Sequence, residues 1–360
     1  MTISKESVLK ALRETPLPGG GDALGRNLVH ALAVESGVVR FVLEGAPEAE
    51  LAQIRRLLEE AVRRLEGVKS LSIVIPAGPP KGLGAGAQQG GGVKIGGHAK
   101  PQDGPLPVPG VRHIIAVGSG KGGVGKSTVS ANLAVALART GRRVGLLDAD
   151  IHGPSQPRMM GVNERPVSPD GQNLLPLQAH GVAVMSIGFM LRDDEAVIWR
   201  GPMLMGALQQ LLGQVKWDHF GELDVLIIDL PPGTGDVQLS LCQKTVLDGA
   251  VIVSTPQDVA MLDAKKALDM FRKLGTPVLG LIENMSTYVC PNCGHEAHLF
   301  GHGGVAAEAA RLGLPFLGAL PLDLAVRLAG DNGTPVAAGQ GAASEAYGAI
   351  AQKLIAAGAA

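Results

Sequence analysis

From residue 113 onward, short aliphatic runs alternate with segments of helical spacing, and glycine- and proline-rich turns separate them. The runs His113–Val117, Arg143–Leu147, Val182–Ile187, Val225–Asp229, Ala250–Ser254, Val278–Ile282 and Phe316–Ala319 predict strands. Strands that alternate with helices build a mostly parallel sheet flanked by helices. Residues that act on ligands then collect at the C-terminal ends of those strands.

The first part of the chain has a different rhythm. Ser4–Arg13 is helix-like, Gly37–Leu43 alternates as a strand through Val38, Val39, Phe41 and Leu43, and Leu71–Ile75 offers another strand. Between them Leu51, Ile54, Leu58, Val62 and Leu65 recur at helical spacing with Arg and Glu on the other face, which predicts an amphipathic helix over a small sheet. From 77 to 110 the composition turns to Gly, Pro, Ala and Gln, with almost no large apolar side chains to offset ordering entropy. The expected organisation is a small α/β domain over 1–76, a flexible linker over 77–110 and a larger α/β domain over 111–360.

Composition agrees with this picture and narrows the function. The chain has 360 residues, 46% of them hydrophobic but only 3% aromatic, so its core is packed with Ala, Val and Leu. Lys+Arg 32 against Asp+Glu 33 gives a net charge of -1, which asks for neither nucleic acid nor an anionic membrane. Met1–Glu14 is charged and does not read as a secretory signal, and no apolar run reaches the ~18 residues that span a bilayer. Three cysteines are too few for a disulfide framework and point to a cytoplasmic setting with thiols available to a metal.

The chemistry begins at Gly120-Lys121-Gly122-Gly123-Val124-Gly125-Lys126-Ser127-Thr128, a complete phosphate-binding loop between a predicted strand and a predicted helix. Its glycines let consecutive N–H groups approach phosphate oxygens, Lys126 supplies charge to the β- and γ-phosphates, and the Ser127 hydroxyl suits Mg²⁺. Lys121 is additional. It cannot easily reach the phosphate bound by its own loop, and it is a candidate for reaching across a dimer as an arginine finger does in trans.

Asp148 and Asp150 leave the end of the second strand, where one carboxylate can hold the metal sphere and the other can orient water. The run ending in Asp229 resembles the acid that supports Mg²⁺, and Pro231-Pro232-Gly233-Thr234-Gly235-Asp236 suits a loop that senses the γ-phosphate. Cys290-Pro291-Asn292-Cys293 is the second centre. Two thiolates can grip one soft metal, but zinc and iron–sulfur clusters generally take four ligands, and a second copy of the chain would supply the other two. A Cys₂His₂ zinc site completed by His295 and His298, and a dithiol redox centre, are the alternatives within one chain. Cys242 reads as a buried small hydrophobe.

Together these residues resemble the deviant Walker A ATPases, the group of MinD, ParA, the arsenite pump ATPase and the nitrogenase iron protein. Within that group the chain resembles the Mrp/ApbC iron–sulfur cluster carriers over nearly its whole length. The stretches that carry the likeness are Asp148-Ala149-Asp150-Ile151-His152-Gly153-Pro154-Ser155, Trp199-Arg200-Gly201-Pro202-Met203, Asp229 to Asp236, Glu283-Asn284-Met285-Ser286 and the Cys290–Cys293 pair.

The resemblance implies a P-loop NTPase fold with a small N-terminal MIP18-like domain, and a slow ATP hydrolase that works with ATP and Mg²⁺. Lys121 would cross the dimer, Lys126 and Ser127 would hold phosphate and Mg²⁺, Asp150 would position water, Asp229 would support Mg²⁺ and Asn284 would recognise adenine. Cys290 and Cys293 would share a [4Fe-4S] cluster across a homodimer, for transfer to apo iron–sulfur client proteins, with cluster scaffold proteins as further partners. His152 replaces the usual tyrosine, and the N-terminal domain lacks the cysteine that relatives often carry. A positioning ATPase of the MinD or ParA kind, and an ATPase with a structural interchain zinc, are the other readings.

Overall fold

Each of the seven aliphatic runs folds as a strand. The computed structural model describes residues 5–18, 20–26, 28–35, 37–43, 48–68, 70–74, 104–151, 153–190 and 201–360. His152, Trp199, Arg200 and most of the linker range therefore lie outside the described residues. The chain separates into two units, Met1–Gln89 and Gly90–Ala360.

In the smaller unit α1 (Lys5–Glu14), β1 (Val29–Glu35), β2 (Val38–Leu43), α2 (Glu48–Arg63) and β3 (Ser70–Val74) follow in order. The sheet runs β1-β2-β3, with β1 antiparallel and β3 parallel to β2. The predicted stripe closes this core: Ile54, Leu58 and Val62 are buried with Val8 and Leu12 of α1 and with Val39, Phe41 and Leu43 of β2. Strand β1 was not anticipated. Its sequence, VHALAVE, has small alanines where a strand signal needs bulky alternation, and pairing with β2 fixes it.

The larger unit continues with β4 (Val111–Gly118), α3 (Lys126–Arg139), β5 (Val144–Asp148), α4 (Gln156–Met159), β6 (Leu177–Ala179), β7 (Val182–Ser186), α5 (Gly201–Gly213) and β8 (Leu223–Asp229). Then come α6 (Asp236–Lys244), β9 (Gly249–Ser254), α7 (Asp258–Lys273), β10 (Val278–Glu283), the short β11 (Tyr288–Val289) and β12 (Glu296–Ala297), α8 (Gly304–Leu312), β13 (Phe316–Ala319), α9 (Leu324–Asp331) and α10 (Ala342–Ala356). Eight strands form one sheet in the order β13-β10-β9-β4-β8-β5-β7-β6, all parallel except the antiparallel edge pair β6-β7. With β4 central, the loop that follows it lies between the ends of β8 and β9.

Within residues 104–110, placed in the linker by composition, Leu106 pairs with the connection between α6 and β9. Leu106 N–H donates to Lys244 O at 2.9 Å, Val246 N–H donates to Leu106 O at 3.1 Å, and Val108 is buried. A few backbone bonds and one valine anchor a stretch whose glycines and prolines look unstructured. No helix among the described residues is long and apolar enough to cross a membrane.

Close packing under β5 sets its position. A Cβ on Gly145 would lie 2.6 Å from Leu223 Cδ1 and 3.2 Å from Trp217 Cε3, so only glycine lets the strand settle on that layer. Trp217 is fully buried, and its Nε1 donates to Leu211 O at 3.3 Å. Trp217→Ala is expected to cost about 3–5 kcal/mol in this unit. Denaturant unfolding followed by circular dichroism checks it, and a loss below about 1 kcal/mol contradicts the packing described.

Candidate functional site

The loop after β4 turns on glycines at φ +82°, Gly123 and Gly125, before Lys126 opens α3. Two other contacts hold it. A Cβ on Gly120 would stand 2.0 Å from the carbonyl carbon of Asp263, so the loop runs directly against the backbone of α7. A Cβ on Gly125 would stand 2.2 Å from Asn284 Nδ2, and that amide donates to Val124 O at 2.8 Å. The loop is thus clamped between α7 and the end of β10, while the first-turn N–H groups of α3 face its hollow.

Beneath the loop lies a buried ion pair. Lys126 Nζ sits 2.6 Å from Asp229 Oδ1 and 3.3 Å from Ser127 Oγ, with Lys126 6% and Asp229 0% exposed. Strand β8 delivers Asp229, and two further donors complete its surroundings: Ser130 Oγ reaches Oδ1 at 2.9 Å and Gln156 Nε2 reaches Oδ2 at 2.9 Å. A buried carboxylate needs such neutralisation and hydrogen bonding. Thr128, one residue beyond Ser127, accepts from Asn132 Nδ2 through its carbonyl at 2.9 Å within α3.

The two carboxylates after β5 differ. Asp148, in register beside Asp229, takes N–H groups from Asp150 at 3.1 Å and from Ser155 and Gln156 at 3.0 Å each, plus the Ser186 hydroxyl at 3.1 Å. It winds the loop around itself and is fully buried. Burial, and then the charge of Asp229, push its carboxyl up to about 7 against the pull of these donors. Asp150 is half-buried at the rim this loop creates.

Across the phosphate loop, Gly233 N–H donates to Ser119 O at 3.0 Å, and a Cβ on Gly122 would stand 3.9 Å from Pro232 Cβ. The loop from Pro231 to Asp236 is therefore stitched to the one before α3. Lys121 is half-buried and makes no ion pair among the described residues. The exposed Val259 and Leu262 lie on the helix that packs against Gly120.

The cysteines occupy a hairpin formed by β11 and β12. Cys290 N–H donates to His295 O and Gly294 N–H donates to Cys290 O, both at 2.9 Å, with Gly294 at φ +70°. Cys290 is half-buried and Cys293 exposed; N–H groups of Asn292 and Cys293, with the Cys293 thiol, hold the Cys290 thiol below its ordinary range. Cys242 is buried, and burial pushes its thiol up to about 12.

Among the described residues no group of three His, Cys, Asp or Glu side chains is placed to hold a metal. The single-chain Cys₂His₂ alternative is not assembled. His298 turns its Nδ1 toward Ser286 O at 3.2 Å and stacks on His302 with ring centroids 4.4 Å apart.

Glu283 and Ser286 connect this hairpin to the segment that braces the phosphate loop; the sequence marked their stretch but assigned a role only to Asn284. Glu283, 1% exposed at the end of β10, accepts from Gly303 N–H and Val305 N–H at the start of α8, both at 2.9 Å, and from Ser286 Oγ at 2.6 Å. Ser286 Oγ also lies 2.9 Å from His302 Nδ1. Asn284, which follows Glu283, holds Val124 O, so its amide braces the loop. Met285, between these anchors, takes φ +58°, a strained angle for a non-glycine residue.

These features fit a Mg²⁺-bound triphosphate: a loop that turns on glycines at positive φ, a lysine, and a hydroxyl and a carboxylate that both lie against that lysine, the oxygen donors a hard cation takes. The family model described as "NUBPL iron-transfer P-loop NTPase" matches residues 110–355, and "Iron-sulfur cluster assembly protein" matches residues 5–73. An "Iron-sulfur cluster carrier protein" of Pseudomonas fragi is 53% identical over 66% of this chain and 83% of its own. One from Synechocystis is 41% identical over 98% of this chain and 97% of its own. A nucleotide-binding protein from Archaeoglobus fulgidus, solved with ADP, is 42% identical with a TM-score of 0.55 over 62% of this chain and 87% of its own. MinD of Pyrococcus furiosus, at 22% identity and a TM-score of 0.52 over 68% of this chain and 99% of its own, shares the fold. The phosphate cradle, the thiol hairpin and these matches together make the chain a member of the iron–sulfur cluster carrier P-loop NTPases.

Proposed function

We propose that the chain is an ATP-hydrolysing carrier whose nucleotide state governs the hold of a homodimer on a [4Fe-4S] cluster, its cargo, for delivery to apo client proteins. The segment Glu283–Ser286 carries this reading. One of its residues braces the phosphate loop, and two others fasten α8 and the histidines beside the cysteine hairpin. A shift at either end is felt at the other, and a nucleotide that binds two arrangements unequally changes cluster affinity reciprocally.

In this reading a triphosphate competes with Asp229 for Lys126, Ser127 and Asp229 support Mg²⁺, and Asp150 orients water at the γ-phosphorus. Lys121 compensates charge on the partner's phosphate, and Asn284 contacts adenine from the loop it braces. The metal supplies charge neutralisation on the phosphate oxygens. Val259 and Leu262 flank the loop on the face that a second copy would cover. Cys290 and Cys293 give each protomer half of the four thiolates that a cluster takes.

Four outcomes test this. Reconstituted anaerobically, the chain is expected to pass its cluster to an apo [4Fe-4S] enzyme at a rate that changes with ATP, measured by recovered client activity. Lys126→Gln, which keeps an amide donor to Asp229, is expected to abolish that dependence, and equal rates with and without ATP in the unsubstituted chain sink the coupling. Lys121→Ala should lower kcat about 10²-fold or more while fluorescent ADP still binds. Cys290→Ser should lose the visible absorption of the cluster together with the cluster-dependent dimer in light scattering. Stoichiometric zinc with no reconstitutable cluster would overturn the carrier reading.

A further inference from the structure

Gln156 has the surroundings of a working residue. It is 0% exposed, and its amide nitrogen uses both hydrogens: Nε2 donates to Ser127 O at 2.9 Å and to Asp229 Oδ2 at 2.9 Å. Its backbone N–H is fixed as well, donating to Asp148 Oδ2 at 3.0 Å. The amide orientation is therefore determined, because the opposite flip would set a carbonyl oxygen against a carboxylate and a second carbonyl. Its Oε1, one amide width away, is buried without a hydrogen-bond partner among the described residues. The Ser155 hydroxyl, next in the chain, is buried without one as well.

A buried amide oxygen left unpaired costs about 1–3 kcal/mol unless something donates to it. Leucine or methionine would fill the same volume without that cost. Both atoms that the amide links belong to residues that support Mg²⁺ in the reading above, on which this inference rests. Donors available at such a place are the waters that Mg²⁺ retains, since this ion dehydrates reluctantly and is held by few direct protein ligands.

We propose that Gln156 is a positioning residue for Mg²⁺: with its Nε2 held by Ser127 O and Asp229 Oδ2, its Oε1 accepts a hydrogen bond from a metal-bound water. Outer-sphere partners of this kind orient the inner ligands, and their loss typically weakens metal affinity about 10–100-fold.

The test separates metal support from simple packing. Binding of a fluorescent ADP to the full chain is measured in EDTA and across a Mg²⁺ titration, for the unsubstituted chain, Gln156→Met and Gln156→Glu. Gln156→Met is expected to keep its EDTA affinity within about twofold while needing about tenfold more Mg²⁺ for half-maximal enhancement. Gln156→Glu keeps an acceptor oxygen and should need no more Mg²⁺ than the unsubstituted chain, although its second oxygen faces Asp229 and lowers the melting temperature. An unchanged Mg²⁺ requirement in Gln156→Met overturns the proposal, as does an equal rise in both variants, which is the mark of a purely structural residue. If Gln156→Met does not fold, a raised Mg²⁺ requirement in Gln156→Glu alone overturns it. Failure of the unsubstituted chain to bind ADP counts instead against the nucleotide reading.

Discussion

The buried pair of Lys126 and Asp229 is the constraint on which the larger unit is organised. A charge at the end of a central strand is tolerated only if it is neutralised and hydrogen-bonded, and removing one partner of such a pair costs about 3–5 kcal/mol. The chain satisfies Asp229 with three side chains: Lys126 at the head of α3, Ser130 one turn further on, and Gln156 at the head of α4. Two helices are thereby drawn to one carboxylate. The phosphate loop is left in the middle, where an anion can take over the lysine without leaving the acid wholly unsupported.

Around this centre the structure is a set of braces. Asp148 gathers the loop that holds Asp150, Asn284 ties β10 to the phosphate loop, and Glu283 satisfies the orphan N–H groups that open α8. Each brace is a buried polar group fully engaged with backbone, which makes the region stiff within an element and leaves its freedom to the joints between elements. The cysteine hairpin lies one joint beyond Glu283. Its turn is held by the β11–β12 pairing, two further backbone bonds and the glycine at 294.

What could be read from the sequence follows how local each interaction is. The phosphate loop was legible because nine consecutive residues carry its whole chemistry, and the seven strands were legible because burial on both faces leaves aliphatic runs. The Cys290–Cys293 pair was legible for the same reason of contiguity. Gln156 was not, since its partners lie 29 and 73 residues away and a glutamine before a proline has no signal of its own. Asn284 was visible as a site residue, but its bond to a carbonyl 160 positions earlier was not. The two acids after β5 look equivalent in sequence, and only the fold separates the one turned inward from the one at the rim. Strand β1 and the anchoring of Leu106 escaped because pairing partners, not side-chain pattern, create them.

Gly120 shows what such close contact entails. Its α-carbon rests on the main chain of α7 with no room for one more carbon, so the loop and the helix slide together or not at all. The exposed face of α7, which carries Val259 and Leu262, is then in effect the outer surface of the phosphate loop. Whatever leans on that helix from outside leans on the seat of the nucleotide, and the nucleotide can push back through a single missing side chain.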